Sequence, residues 1–373
     1  NIMRILITGS DGFIGNNLVT RLKQNKNIKL DFFVSQDTPS KLKKSVAAAD
    51  QIIHLAGSNR PNHEDDFKEI NTQLTKKITK LLAKSACNCK RIIFSSTTKA
   101  EENSSYGISK LNAEIELNKL AKSNSEIQIS NIRFPGVFGK WSRPDYNSVV
   151  ATFSHNIIND LPINIHDPNT KINLLYIDDA INIIEREIYK DHKRGFHNVE
   201  IKNIHNISVG ELAKVLQEFK ELRTTKKIFD LSNNFKKALY STFISFYKEN
   251  DFFYDFDSHE DERGVFSEFL KSSSFGQISY FTVNPGKVRG NHFHHTKTEK
   301  FVVLSGKLDF NFKSIISDKV FSKSVSDKDN IVIESIPGWQ HSIENKTKST
   351  AICLVWANEM FDNKNPDTFV EEK

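Results

Sequence analysis

The chain changes its texture once, and that change dictates two cores of different kinds. From residue 4 to about 240, the apolar runs RILIT, KLDFFV, QIIHLA, RIIFSS and IQISNIRF alternate with the helical patterns NNLVTRLKQN, NTQLTKKITKLLAKS and SKLNAEIELNKLAKS. GELAKVLQEFKEL is the last strong helix of this half. Strand runs separated by helices predict a parallel sheet covered on both faces, a doubly wound Rossmann-type α/β domain. Beyond about residue 245, ISYFTV, KFVVLSG, KLDFNF, NIVIES and TAICLVWA are separated by polar turns alone. Short strands of this kind predict an all-β barrel or jelly roll. The expected domains are 1–243 and 244–373, with KALYSTFISFYKEN as the link.

Bulk properties narrow the partners. The net charge of +6 is spread along 373 residues with no dense Lys/Arg block, which speaks against nucleic acid and leaves room for a phosphate pocket. No apolar run is long enough to span a bilayer, no stretch reads as a signal peptide, and Met3 is expected to mark the natural start. Cys87, Cys89 and Cys353 are too few for a disulfide framework, so a reducing cytoplasm is the expected setting. The neighbouring thiols Cys87 and Cys89 read as inert packing residues.

In RILITGSDGFIG, glycines stand at 9, 12 and 15, after a strand and before a helix. Gly9 suits the tight turn, Gly12 the approach of a pyrophosphate, and Gly15 the close packing of helix on strand. Further along, RIIFSST puts Ser95, Ser96 and Thr97 at a strand end, and YGISK places Tyr106 and Lys110 four residues apart on one helix face. A free phenol titrates near pH 10, so it needs a neighbouring ammonium to serve as an acid or base at neutral pH.

This order of motifs resembles the extended branch of the short-chain dehydrogenase/reductase superfamily. The resemblance implies a catalytic set of Thr97, Tyr106 and Lys110, with Ser96 as the alternative hydroxyl. It implies that Gly9, Asp11, Gly12, Phe13, Ile14, Gly15, Leu55, Ala56, Gly57, Ser95, Tyr106, Lys110 and Pro135 bind the cofactor. Asn147 and His155, in the segment after RFPGVFG, would contact a nucleotide diphosphate, or else are ordinary helix-surface residues. The second strand ends FFVSQDT, with Ser35 and Gln36 where an NAD-binding acid belongs and Asp37 one step late. The missing acid favours NADP(H) over NAD.

The second half carries its own chemistry. His292 and His294 alternate on a strand, so both point to one face; Glu299 and Gly306 follow, and IPGWQHSIEN adds His341 and Asn345. The spacing resembles the two cupin motifs, with Pro337 and Gly338 adjacent where the pattern separates them. It implies a divalent metal, zinc first, on His292, His294, Glu299 and His341. His295 points the other way. DERGVFSEF and GKVRGNHFH also resemble the deoxy-sugar epimerases related to dTDP-4-keto-6-deoxyglucose epimerase, in which Arg263 would contact the nucleotide sugar.

Together the two resemblances imply a 4-keto-6-deoxy sugar, whose carbonyl acidifies the neighbouring carbon–hydrogen bond and also accepts hydride. The pairing, with RFPGVFGKW, YNSVVATF and GNHFHHTKTEKF, resembles the bacterial capsule and O-antigen enzymes that make UDP-2-acetamido-2,6-dideoxy-L-talose. That family implies epimerisation at carbon 3 by the cupin, NADPH-dependent reduction at carbon 4, a UDP-linked 4-keto-6-deoxy amino sugar as substrate, and a homodimer. The rival expectation is a single-activity sugar-nucleotide reductase whose cupin is only a dimerisation or structural metal module. Thr98-Lys99 after Thr97 lacks the Asp-Glu pair of dehydratases.

Overall fold

The computed structural model describes residues 2–57, 68–84, 87–146, 148–191 and 194–370. The chain forms two compact units, Asn1–Phe219 with Asn234–Tyr247, and Lys220–Asn233 with Lys248–Lys373.

In the first unit, β1 (Met3–Thr8), β2 (Ile28–Phe33), β3 (Gln51–His54), β4 (Arg91–Thr97), β5 (Gln128–Phe134) and β8 (Gly195–Asn198) form one sheet in the order β2-β1-β3-β4-β5-β8. Every pair is parallel. All seven residues of β4 are buried, as a strand covered on both faces requires. Alternate side chains feed two cores. Leu6, Ile52, Ile92 and Ile129 pack with Leu42, Ile78 and Leu117 on one face, and Ile5, Ile53, Ile93 and Ile132 with Leu18, Ile181 and Ile184 on the other. Each buried isoleucine is worth about 1.5–3 kcal/mol, so Ile93→Ala, which also leaves a cavity, would cost roughly 2–5 kcal/mol. The chain leaves β1 toward β2 but leaves β3 toward β4, so the winding direction reverses between β1 and β3. A crevice outside the carboxyl ends of strands at such a point is where α/β sheets bind ligands. A smaller sheet joins β6 (Gly136–Phe138), β7 (Lys171–Tyr176) and β9 (His205–Ser208), with β6 parallel and β9 antiparallel to β7.

The second unit holds β10 (His259–Asp261), β11 (Gly264–Ser272), β12 (Gly276–Val283), β13 (Val288–His292), β14 (Glu299–Ser305), β15 (Lys307–Ser314), β16 (Val320–Ser326), β17 (Val332–Ser335), β18 (Trp339–Glu344) and β19 (Ala351–Ala357). They make two antiparallel sheets, β10-β11-β12-β19-β14-β17 and β13-β18-β15-β16. Phe281, Val283, Phe301, Val303, Phe310, Ile343 and Cys353, drawn from strands of both sheets, form one core. Strand β19 alternates buried and more exposed residues, the pattern of a sheet with one face inward.

The expected single division at 243/244 differs from the observed path. The chain passes into the second unit within the helix Val209–Thr225, returns by Asn234 and leaves again at Lys248. Residues 226–228 explain the excursion, because they add to the edge of β11: the Ile228 amide donates to the Lys271 carbonyl at 2.8 Å and the Lys271 amide to Lys226 at 2.9 Å. The expected linking segment instead forms the helix Asn234–Ile244, which buries Leu239 and Phe243 in the first unit. Among the described residues, no helix is long and apolar enough to cross a membrane. The three cysteines are free; burial pushes the Cys89 and Cys353 thiols up to about 12, which leaves them unreactive.

Candidate functional site

The turn after β1 sits at the point of reversal. Gly9 has φ +71°, and a Cβ there would lie 2.7 Å from the Ala56 Cα, so turn and Leu55–Ala56 loop touch backbone to backbone. A Cβ on Gly15 would come within 2.2 Å of the Gly9 carbonyl, so the helix Phe13–Leu22 rests directly on the turn. Gly12 precedes that helix and supplies no side-chain cap, which leaves the first amides, those of Phe13 and Ile14 among them, for an anion. Asp11 is exposed on the turn. Asp37, beyond β2, is committed elsewhere: its Oδ2 accepts from the Val34 amide at 2.9 Å and from Lys41 at 2.8 Å.

The end of β4 faces the helix Ser105–Ser123, whose first turn is capped by the Ser104 hydroxyl accepting from the Gly107 amide at 3.1 Å. Three consecutive hydroxyl residues take three paths. Ser95 is tied through its main chain, its carbonyl accepting from Lys110 Nζ at 2.8 Å. Ser96 donates its hydroxyl to Glu114, which Arg133 grips at 2.9 and 2.7 Å. The Thr97 hydroxyl accepts from the Lys99 amide at 3.2 Å and lies near enough to the Tyr106 phenol to pull its titration down. Thr97 is therefore the hydroxyl beside the phenol, and Ser96 belongs to the Glu114–Arg133 network.

The electrostatics differ from the sequence expectation. Burial pushes the Tyr106 phenol up to about 12, against the pull of the Thr97 hydroxyl. Lys110, expected to lower it, donates to Ser95 and stands 5.0 Å over the Phe94 ring. Burial brings Lys110 itself down to about 8. Asn71 donates to Ser109 at 2.9 Å, and a Cβ on Gly57 would lie 3.0 Å from both Asn71 Oδ1 and Lys110 Nζ, so these three converge. His54, bridged to Thr8 at 2.6 Å and Thr75 at 2.9 Å, is driven down to about 3 by burial and stays neutral.

Pro135 lies between β5 and β6. His155 is half-buried on the helix Val149–Ile158, 3.4 Å from the Asn159 side chain. Asn147 lies outside the described residues.

In the second unit, His292 on β13 is the direct partner of His341 on β18, so both rings leave the pair on one side. Phe293 continues the pairing by a bridge to Phe369, and His294 falls on the same side as His292. Glu299 opens β14. The ligand atoms of His292, His294, Glu299 and His341 lie within 4.8 Å of one another. One oxygen of Glu299 is 3.2 Å from His294 Nε2 and 3.3 Å from His341 Nε2. Burial opposes the Glu299 charge, yet hydrogen bonds from His294 and His341 hold its carboxyl well below the usual range. Burial and the two neighbouring rings bring His292 down to about 4, so its lone pair is available at neutral pH.

The donor set fits a divalent metal. His294 Nδ1 lies 2.6 Å from the Asp367 main-chain oxygen, an acceptor, so Nδ1 carries the proton. Its Nε2 then faces the Glu299 carboxylate at 3.2 Å, a contact that either a proton or a metal cation can bridge. Three imidazoles and a carboxylate suit Zn²⁺ or a related ion.

Arg263, in the turn after β10, pairs with Asp261 at 3.0 Å. Arg289, in GKVRGNHFH, is not among the residues the motifs single out. It donates to the Thr282 carbonyl at 2.8 Å, lies 5.6 Å over Phe281, and buries an Nη2 with no hydrogen-bond partner among the described residues. Lys297, 3.9 Å from Glu299, and Asp367 are not singled out by the motifs either. Spacing offered a signal for Arg289; none existed for Asp367, some seventy residues from the histidine it meets.

Residues 5–197, just over half of the chain, match the NAD dependent epimerase/dehydratase family. The chain belongs to that family. Beyond this epimerase/dehydratase region, residues 259–369 match the polysaccharide biosynthesis C-terminal domain. The chain is 38% identical over 367 residues to the UDP-2-acetamido-2,6-beta-L-arabino-hexul-4-ose reductase of Pseudomonas aeruginosa, covering 98% of each. Its structure is similar to the crystal structure of the capsular polysaccharide assembling protein CapF from Staphylococcus aureus, with a TM-score of 0.90, 34% identity and full coverage of both chains. A UDP-glucuronic acid 4-epimerase from Bacillus cereus, solved with NAD, shares the fold at 18% identity and a TM-score of 0.55, covering 65% of this chain and 96% of that one.

Proposed function

We propose that this chain carries out two steps on a UDP-linked 4-keto-6-deoxy amino sugar, epimerising carbon 3 in its second unit and reducing carbon 4 in its first. The product is UDP-2-acetamido-2,6-dideoxy-L-talose, a precursor for capsule or O-antigen synthesis in the cytoplasm. The placement of Thr97, at the end of β4, against Tyr106, in the first turn of the facing helix, carries the reductive half, because a carbonyl oxygen there can accept from both hydroxyls. The Pseudomonas relative, named as a reductase of a UDP-linked hexul-4-ose, supports the substrate class.

NADPH, when bound along the Gly9–Gly15 turn, supplies the hydride; Lys41 beside Asp37, in place of a free acid, favours the phosphorylated cofactor. Thr97 holds the substrate oxygen at carbon 4. Tyr106 gives its proton to that oxygen, and a phenol pushed up to about 12 is fully protonated at neutral pH, the form reduction needs. Lys110 places a positive charge next to the site and can hold the cofactor ribose. Leu55, Ala56, Gly57, Ser95 and Pro135 complete the cofactor wall, with Asn147 and His155 toward the diphosphate.

The second unit is read as a cupin whose lumen holds the His292–His294–Glu299–His341 set. These four side chains would hold a divalent metal, zinc first, which would supply Lewis-acid polarisation of the carbonyl next to carbon 3. Arg263 contacts the nucleotide sugar. Reduction draws the epimerisation forward, which gives a physical reason for joining the two units in one chain; the protein forms a homodimer partly through the cupin.

Incubating the protein with NADPH and a panel of UDP-4-keto-6-deoxy-HexNAc sugars tests this. The expected result is NADPH oxidation with a product inverted at carbon 3 and reduced at carbon 4, read by NMR. Reduction with carbon 3 unchanged would leave a single-activity reductase, and no NADPH consumption would remove the reductive reading altogether.

A further inference from the structure

His294 reaches the cluster from a stretch that has left β13 and not yet entered β14, and a ring on such a stretch is not aimed by strand geometry alone. The C-terminal tail supplies the missing hold. Phe293 and Phe369 exchange backbone hydrogen bonds at 2.8 and 3.0 Å, and the Phe369 ring lies 5.7 Å from Phe293 and 4.6 Å from His295. The Asp367 carboxylate accepts from three successive amides, those of His295 at 2.9 Å, Thr296 at 2.9 Å and Lys297 at 2.7 Å, and from the Thr296 hydroxyl at 3.0 Å. Its main-chain oxygen stands 2.6 Å from His294 Nδ1. Asp367 has φ +39°, in the left-handed region that Asp tolerates better than most residues.

We propose that Asp367 is a positioning residue of the metal centre: its carboxylate fixes the 295–297 turn, and its main-chain oxygen locks the Nδ1–H tautomer of His294, aiming Nε2 at the point shared with Glu299 and His341. The proposal rests on the metal reading above. Histidines that bind metals commonly give their second N–H to a carbonyl or carboxylate, and losing that partner weakens binding by on the order of 10- to 100-fold. Plain anchoring of the tail would account for the Phe369 contacts. It would not account for an acceptor aimed at the nitrogen that must not bind the metal, delivered by the residue that clamps the following turn.

The test uses the full chain stripped of metal and titrated with Co²⁺ and with Zn²⁺, comparing wild type, Asp367→Ala, Asp367→Asn and Asp362→Ala. Asp362 lies in the same tail and caps its own turn at Lys364, 2.8 Å away. The expected result is Co²⁺ binding by wild type with ligand-field bands in the visible spectrum. Asp367→Ala is expected to bind on the order of 10- to 100-fold more weakly with shifted bands, Asp367→Asn to fall between, and Asp362→Ala to match wild type. If Asp367→Ala does not fold by circular dichroism, Asp367→Asn decides. Wild-type affinity and bands in the folded Asp367 variants would overturn the positioning role while leaving the metal centre standing. No Co²⁺ or Zn²⁺ binding by wild type would overturn the metal reading, and the positioning role with it.

Discussion

Lys110 donates to the main-chain oxygen of Ser95 at 2.8 Å, which seats a buried ammonium at the end of β4. Burial brings it down to about 8, with Glu114 pulling back upward; His54, also nearby, is neutral. Between about pH 8 and its unfolded value near 10.4, the unfolded chain keeps a proton that the folded chain has lost. The contribution of this group to stability therefore rises with pH across that window. Activity runs the other way, because the charge disappears. The kcat/KM of NADPH-dependent reduction is expected to fall as pH rises through about 8, and Lys110→Arg, always charged, to remove that descent at a lower plateau. A wild-type profile flat to pH 10 would contradict the role.

Tyr106→Phe removes the proton donor and is expected to lower kcat for reduction by roughly 10²–10⁴-fold with little change in thermal midpoint. Thr97→Val should also lower kcat. Ser96→Ala, which touches only the Glu114–Arg133 network, should instead cost about 1–3 kcal/mol of stability and leave kcat near wild type. Steady-state kinetics beside thermal melts separate the three. A large kcat loss in Ser96→Ala alone would reverse the assignment of the hydroxyls.

Gly15→Ala places a methyl 2.2 Å from the Gly9 carbonyl and must lift the helix Phe13–Leu22 off the turn. Strain of about 1–3 kcal/mol is expected, with loss of NADPH affinity by fluorescence titration. Tight NADPH binding by this variant would argue against the turn as the pyrophosphate seat.

Chelation offers a fourth check. A metal bound only by the folded state stabilises by roughly 2.7 kcal/mol at a hundredfold excess over Kd. Stripping it should lower the melting transition of the second unit, with Zn²⁺ restoring it. An unchanged transition in a sample shown to contain metal beforehand would weaken the assignment of the four ligands.

What the sequence revealed tracks sequence distance. The Gly9–Gly15 spacing, the Tyr106–Lys110 interval and the His292–His294–Glu299 run are local patterns, legible because helix and strand periods fix which side chains share a face. Adjacent hydroxyls such as Ser96 and Thr97 look alike in sequence; the Glu114–Arg133 network that engages Ser96 comes from another helix and strand. The excursion at 220–233 depends on backbone pairing between Ile228 and Lys271, which leaves no compositional trace. Asp367 was illegible for the same reason, since neither its left-handed backbone nor its reach to His294 is written in neighbouring residues.

The central claim is that the second unit labilises the hydrogen on carbon 3 of the sugar that the first unit reduces. Deuterium uptake by a UDP-4-keto-6-deoxy-HexNAc in D₂O with Tyr106→Phe and no NADPH, read by NMR, tests it most directly. Deuterium is expected at carbon 3 well above an enzyme-free control, and His341→Ala added to Tyr106→Phe should return it to that control. Uptake no faster than the control with folded, metal-loaded protein would contradict the account.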